Sequence, residues 1–405
     1  MLHIIKDKAF KKNIIKVNFR RKMNHEEITK LNLIMYILLL TSKKYKTNRE
    51  LLIKAKELYD LTPESYINIY GNALILSFRF TFLKDKYSED NNTKESLKFI
   101  NEILFNPDVQ KKSFNEKCFE IAKNQLIDDI KTYNENKSTY AKKKMLELMD
   151  PLSPYSYSIV GYMEDLDKIN ALNLYSFYQE LIQTSAVDLF AFGGITKKDL
   201  SVIKLPNNKL VDIDYIYKTS EREHRTFLER ENLNQSKLVM GYNMNDLTPY
   251  EATYALQVYL YILGLGPDSK LFQNVREKES LCYTISATAK YAGSFMMITA
   301  GIDAINFNKT IKLVHAQVLE MTKGNFKESD IKNAILSIKS SYQELLENPY
   351  SIINSHESTF YLGFDPIEER LNKIEKITKK DVIEVAKKIK INTIYLLEGT
   401  KNEKA

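Results

Sequence analysis

Two cysteines, five histidines and no long apolar run set the first limits on this 405-residue chain. Cys118 and Cys282 lie far apart in unlike contexts, which excludes a disulfide framework and a cysteine zinc site. The longest apolar run, residues 33–40, falls well short of the roughly 20 residues a membrane-spanning helix needs. The opening MLHIIKDKAFKKN has no long apolar core and no small-residue cleavage site, so no signal peptide is expected. The expectation is a soluble, cytoplasmic protein with no membrane span. Among the 12 glycines there is no phosphate loop, no dinucleotide fingerprint and no G-x-S-x-G, and neither cysteine has a histidine near it in sequence. The histidines are His3, His25, His224, His315 and His356, and no two are four positions apart. No helix can therefore present two imidazoles to one metal from successive turns.

Charge is abundant but dispersed. A net charge of +7 arises from 59 basic and 52 acidic residues. The richest basic stretches, 6–22 and 373–390, are interleaved with apolar residues and read as solvated faces, so nucleic-acid binding is not expected. A hydrophobic content of 44% with 11% aromatics is enough for real cores, which excludes disorder as the default.

Periodicity predicts the elements. Residues 12–20 read as a strand, His25 opens a helix running through Leu40, and 48–58 form a second helix. The alternating NALILSFRFTFL within 66–83 reads as a strand. Helices are expected over 93–105, 114–132, 137–149 and 167–181, and a buried strand over 186–192. The order then recurs: strand 237–243, helix 249–263, short helix 271–281, two strands, long helices at 307–322 and 328–346, further helices at 349–361 and 379–388, and a last strand at 392–398. VDLFAFGG in the first half is answered by NTIYLLEG in the second. A two-copy repeat of about 200 residues indicates duplicated α+β domains, each a mostly antiparallel sheet with helices on one face. The expected division is a first domain over 1–205, a linker over 206–225 and a second domain over 226–405.

Arg276 and Tyr283 stand seven positions apart in LFQNVREKESLCYTI, where a helical pattern gives way to a strand. On one continuous helix they would share a face; with the helix ending near Leu281, Tyr283 would stand at the helix–strand corner. A planar guanidinium beside a phenolic hydroxyl suits gripping a carbonyl or an oxyanion. Taken alone, such a pair is more often a solvated charge and a half-buried ring. His25-Glu26-Glu27-Ile28-Thr29 has the start of H-E-x-x-H but not its second histidine. His356-Glu357 and His224 read as surface or boundary residues, and Tyr254, Tyr259 and Tyr261 as a helix packed on its own sheet, with a chamber lining or a docking face as the alternative.

LFQNVREKESLCYTI followed by a strand ending in AGID resembles the C-terminal domain of the pitrilysin/insulinase (inverzincin) family of zinc metallopeptidases, and the duplicated layout extends the resemblance over the whole chain. It implies a LuxS/metallopeptidase-like fold, one half of a clam-shell. It also implies that Arg276 and Tyr283 hold the substrate carbonyl beside a zinc; Cys282 stands where the family usually has a small residue. Active members carry H-x-x-E-H on the first long helix. Placed by the TSKKY that follows, that motif falls on Asn32, Leu33, Ile34, Met35 and Tyr36, so its ligand and base positions are held by Asn32, Met35 and Tyr36. The third, acidic ligand falls near Asp128-Asp129. No metal is expected on this chain.

GYMEDLDKINALNLYSFYQEL and IEKITKKDVIEVAKKI resemble a metal-less bacterial subgroup encoded beside an active homologue. That resemblance implies no activity for the chain alone and a heterodimer whose partner carries the zinc, with Arg276 and Tyr283 acting in trans on a peptide in peptide processing. The alternative is a catalytically inactive peptide-binding or scaffold protein of the same fold. A third reading, an independent hydrolase with an unrecognised site, has no motif behind it.

Overall fold

The computed structural model describes residues 1–88, 91–206, 208 and 212–400. Two five-stranded sheets carry the architecture. The first is built from β1 (Leu2–Lys6), β2 (Lys12–Lys22), β3 (Thr62–Tyr70), β4 (Ala73–Leu83) and, after a two-residue hairpin of β5 (Val109–Gln110) and β6 (Ser113–Phe114), β7 (Ala186–Gly193). Its helices are α1 (Ile28–Leu40), α2 (Asn48–Glu57), α3 (Asn92–Phe105), α4 (Glu116–Glu135), α5 (Lys137–Met149) and α6 (Ala171–Thr184), although α5 belongs elsewhere in space. The second sheet contains β8 (Arg225–Glu231), β9 (Ser236–Asn243), β10 (Cys282–Lys290), β11 (Phe295–Ile302) and β12 (Lys390–Gly399). Its helices are α7 (Leu256–Gly264), α8 (Phe307–Thr322), α9 (Glu328–Leu346), α10 (Pro349–Leu362), α11 (Ile367–Ile374) and α12 (Lys379–Lys388).

The duplication is written in the strand order. The first sheet runs β1-β7-β2-β4-β3 and the second, read the same way, β8-β12-β9-β11-β10. In both, the outermost pair is parallel and the other three are antiparallel. The α+β expectation therefore holds.

Three strands escape the sequence pattern. Strands β1 and β8 are edge strands bonded on one side only, and the charges of RTFLERE hide β8's alternation. The strand read in NALILSFRFTFL is β4, but the pattern did not show β3 before it; the two form a hairpin turning at Gly71, whose φ of +55° suits a tight reversal. The expected linker 206–225 lies partly outside the described residues, at 207 and 209–211. Its later part is tied down: Tyr217 Oη donates to Asp150 at 3.0 Å, and Thr219 Oγ1 to the Gly293 carbonyl at 2.7 Å.

The chain divides into two compact units, Met1–Tyr133 with Ser158–Asp214, and Asn134–Tyr157 with Tyr215–Ala405. Helix α5 thus packs with the second sheet. Along β9 and β12, Leu238, Met240, Ile394 and Leu396 face the main core with α7, α8 and α12, while Val239, Tyr395 and Leu397 face Ala141, Met145 and Met149 of α5. The second sheet is therefore helix-covered on part of its other face too. Gly241 makes room: a Cβ there would lie 2.4 Å from Met145 Sδ. Glu229 of β8 accepts hydrogen bonds from Tyr140 of α5 and Tyr395 of β12, each at 2.8 Å.

Tyr254 and Tyr259 are fully buried and Tyr261 is partly buried against the same core, so this helix packs on its own sheet. Glu357 is buried, contrary to its reading as a surface residue, while its neighbour His356 is exposed. Among the described residues no helix is long and apolar enough to cross a membrane.

Candidate functional site

The helix expected over 271–281 is a wide, π-type turn spanning Phe272–Glu277. Lys278 N–H reaches back five residues to the Gln273 carbonyl at 3.0 Å, and Leu281 N–H reaches six to Val275 at 3.1 Å. Ser280 reverses the chain with a left-handed φ of +50°. Val275 and Leu281 are buried anchors, so the intervening Arg276 is turned out. Its side chain is 40% exposed, with its guanidinium 4.4 Å above the Phe272 ring and Nε 3.7 Å from the Glu277 carboxylate.

Strand β10 then opens with an irregularity. Cys282 pairs with Ile302 and Thr284 with Gly301, which leaves Tyr283 as the extra residue of a β-bulge. A bulge bends the strand and re-aims the side chain it carries. Here it puts Tyr283 60% in solvent at the corner. Its hydroxyl points toward Asp303 Oδ1, 3.5 Å away. Arg276, Cys282, Tyr283 and Asp303 line one open cavity of about 330 Å³. The structure thus brings the two sequence-singled residues to one recess. Burial pushes the Cys282 thiol up to about 11, opposed by the Arg276 charge. Asp303 was not found from the sequence, because nothing in AGID marks a carboxylate that faces a tyrosine twenty residues earlier.

The first unit contains a related turn with other residues, entered from the α-helix α2 and made with two left-handed residues, Tyr59 and Asp60, instead of one. Leu61 N–H bonds the Ala55 carbonyl at 2.9 Å, as Leu281 does Val275, and Asp60 has a φ of +56° where Ser280 has +50°. In that register Lys56 and Pro63 stand in place of Arg276 and Tyr283. The turn itself requires neither an arginine nor a tyrosine.

The positions of the expected zinc motif lie on α1. Asn32 is buried and its amide donates to the Ile28 and Ile159 carbonyls at 2.9 and 3.0 Å. Met35 is in the core. Tyr36 donates to Asp129 Oδ2, and Gln125 Nε2 donates to Asp129 Oδ1 at 3.0 Å. An amide spent on carbonyls, a buried thioether and a protonated phenol are not the donor set of a catalytic zinc. Burial and Asp129 both hold the Tyr36 phenol well above its ordinary range, which keeps that oxygen neutral. The residues do not fit the metal, and among the described residues no cluster of His, Cys, Asp and Glu could hold one.

Residues 168–338 match the peptidase M16 inactive domain. The chain is similar to a probable inactive metalloprotease, YmfF, of Bacillus subtilis, with 27% identity over 98% of this chain and 95% of that protein. It is also similar to a non-peptidase homologue, YmxG, of Helicobacter pylori, at 21% identity over 78% of this chain and 72% of the other. Among solved structures, a conserved protein from Enterococcus faecalis superposes with a TM-score of 0.93 at 27% identity, covering 99% of this chain and 96% of that one. A peptidase M16 inactive domain from Pseudomonas fluorescens has the same fold, with a TM-score of 0.78 at 16% identity over 98% and 95% of the two chains.

Proposed function

From the premise of an M16-family homologue of the inactive type, we propose that this chain is the non-zinc-binding subunit of a two-chain peptidase. It supplies Arg276 and Tyr283 in trans to a peptide held at the zinc of a homologous partner. The observation that carries the reading is the contrast between the corresponding turns of the two units, each closed by an N–H that reaches back six residues. Where the first unit has Lys56 and Pro63, the second has an arginine and a bulged tyrosine, both solvent-accessible and both on one cavity. A purely structural turn would not call for that pair.

The chemistry follows from the donors. The guanidinium presents a rigid fork of N–H groups, and the Tyr283 hydroxyl adds one more. Aimed at a peptide carbonyl, they would hold it and stabilise the negative charge that develops on its oxygen. Loss of one preorganised donor of this kind costs on the order of 100-fold in rate. The reading takes the substrate to be a peptide in a processing reaction.

The test is peptide cleavage by this chain alone, by a homologue with an intact H-x-x-E-H, and by the two together, with metal content measured on each. Cleavage that appears only in the mixture, and falls on the order of 100-fold with Arg276→Ala or Tyr283→Phe, supports the proposal. A mixture no faster than the homologue alone favours the other reading, a catalytically inactive peptide-binding or scaffold protein, which the names of the B. subtilis and H. pylori relatives support. Stoichiometric zinc with activity in this chain alone would overturn both.

A further inference from the structure

Tyr283 lines two recesses. Besides the cavity shared with Arg276, a second one of about 650 Å³ is lined by Tyr283, Asp303, Ile305, Ser236 and Glu398. Asp303 and Tyr283 line both recesses.

The acidic groups around these recesses are accounted for, with one exception. Glu398 is held by Arg230 at 2.7 Å, Glu279 by Lys309 at 2.9 Å, and Glu277 faces Arg276 at 3.7 Å. Among the described residues no cation lies within ion-pair distance of Asp303; its contact is the Tyr283 hydroxyl at 3.5 Å. Asp303 also begins the 3-10 turn Ala304–Asn306, yet its side chain accepts no capping bond from it. Neither an ion pair nor a helix cap occupies this carboxylate. Next to it Ile305 is 92% exposed, an apolar side chain at the lip of the larger recess.

We infer that Asp303 is the specificity-determining residue of this cavity and receives an ammonium group of the bound peptide. The inference rests on the peptide-binding reading of Arg276 and Tyr283 and adds a substrate class to it. Toward a carbonyl oxygen Arg276 and Tyr283 act as donors, so they hold the backbone of any peptide alike. Asp303 offers only acceptors, and a charge-assisted bond to an ammonium discriminates cationic from neutral peptides. Ile305 supplies apolar surface for the methylene stem that carries a lysine head, or for the side chain beside a terminal amine. A free α-amino group and a lysine side chain present the same chemistry to the carboxylate.

The test is direct binding by the full chain, measured by calorimetry with three hexapeptides of otherwise identical sequence. One has an acetylated N-terminus and a central lysine, one an acetylated N-terminus and a central norleucine, and one a free N-terminus and a central norleucine. The expected result is that one of the two cationic peptides binds about tenfold more tightly than the neutral one, and Asp303→Asn, nearly identical in shape, removes that preference. Which one does so identifies the source of the ammonium. Asp303→Lys, checked for folding by circular dichroism, should make the neutral peptide the better ligand. The inference is overturned if Asp303→Asn weakens all three equally or none, or if no peptide binds. The mixing experiment is read by cleavage, not by preference among peptides, so the trans-acting reading can survive that failure.

Discussion

The Tyr36 hydroxyl donates to the Asp129 carboxylate, joining α1 to α4. Tyr36→Phe removes the donor and leaves Asp129 with the amide of Gln125. Loss of a partly buried bond to a charged group should lower stability by about 1–3 kcal/mol, read as a fall in the urea midpoint at unchanged slope. No change in the midpoint would mean that the pair contributes nothing to folding.

Much of this was legible in the sequence. The long helices at 307–322, 328–346 and 379–388 have the predicted ends because their apolar periods are long and their borders polar. What stayed hidden was decided by pairing. Strand β8 is recognisable only once β12 lies beside it, and the bulge at Tyr283 only once Cys282 and Thr284 have partners on β11. Helix α5 reads as part of the first half, yet its methionines fit over Gly241 of the second sheet, a distant contact no local pattern encodes. Arg276 and Tyr283 were singled out from the sequence and line one cavity, whereas Asp303 on the same lining needed three dimensions.

Gly241→Ala tests that fit. The new Cβ would meet Met145 Sδ at 2.4 Å and Met149 Sδ at 3.0 Å. Both side chains are buried, so α5 or its rotamers must shift, at a cost of about 1–3 kcal/mol. Shortening the obstacle with Met145→Ala in the same chain should recover part of the loss, giving a favourable coupling in the double-mutant cycle. Strict additivity of the two changes would count against the packing described.

Arg276→Ala and Tyr283→Phe should leave the fold alone. Both side chains are turned toward solvent, and the homologous turn is built with Lys56 and Pro63. Each variant should stay within about 0.5 kcal/mol of the parent in denaturant unfolding. A larger loss would make the pair structural and weaken the argument for a role in trans.

Alkaline stability should be governed by partly buried phenols bonded to carboxylates. Burial, and then the bond to Glu229, pushes Tyr140 up to about 12; burial, and then the Asp150 charge, does the same for Tyr217. An unfolded tyrosine ionises near about 10, so between there and the folded value the native state holds more protons than the unfolded one. The stabilisation is complete below the unfolded value and is lost as pH rises toward about 12. Unfolding free energies measured across this range should decline, and Tyr140→Phe should make the decline shallower. An unchanged slope in that variant would show that Tyr140 ionises without regard to folding.

The Cys282 thiol reports the field inside the cavity. Burial pushes it up to about 11, and the Arg276 guanidinium pulls the other way by favouring the thiolate. With the thiolate as the reacting species, alkylation near neutral pH should run on the order of 100-fold slower than for an ordinary thiol, whose pKa is about 8.5. The informative quantity is the midpoint of the pH–rate profile, because a change in access scales the rate at every pH without moving that midpoint. Arg276→Ala removes the favourable charge and should move the midpoint upward, whereas Tyr283→Phe, which removes no charge, should leave it in place. Peptide mapping by mass spectrometry separates Cys282 from Cys118, the other free and buried thiol. A midpoint that stays fixed in Arg276→Ala would mean that the guanidinium does not act on this recess, and the role proposed for it toward a developing oxyanion would lose its electrostatic basis.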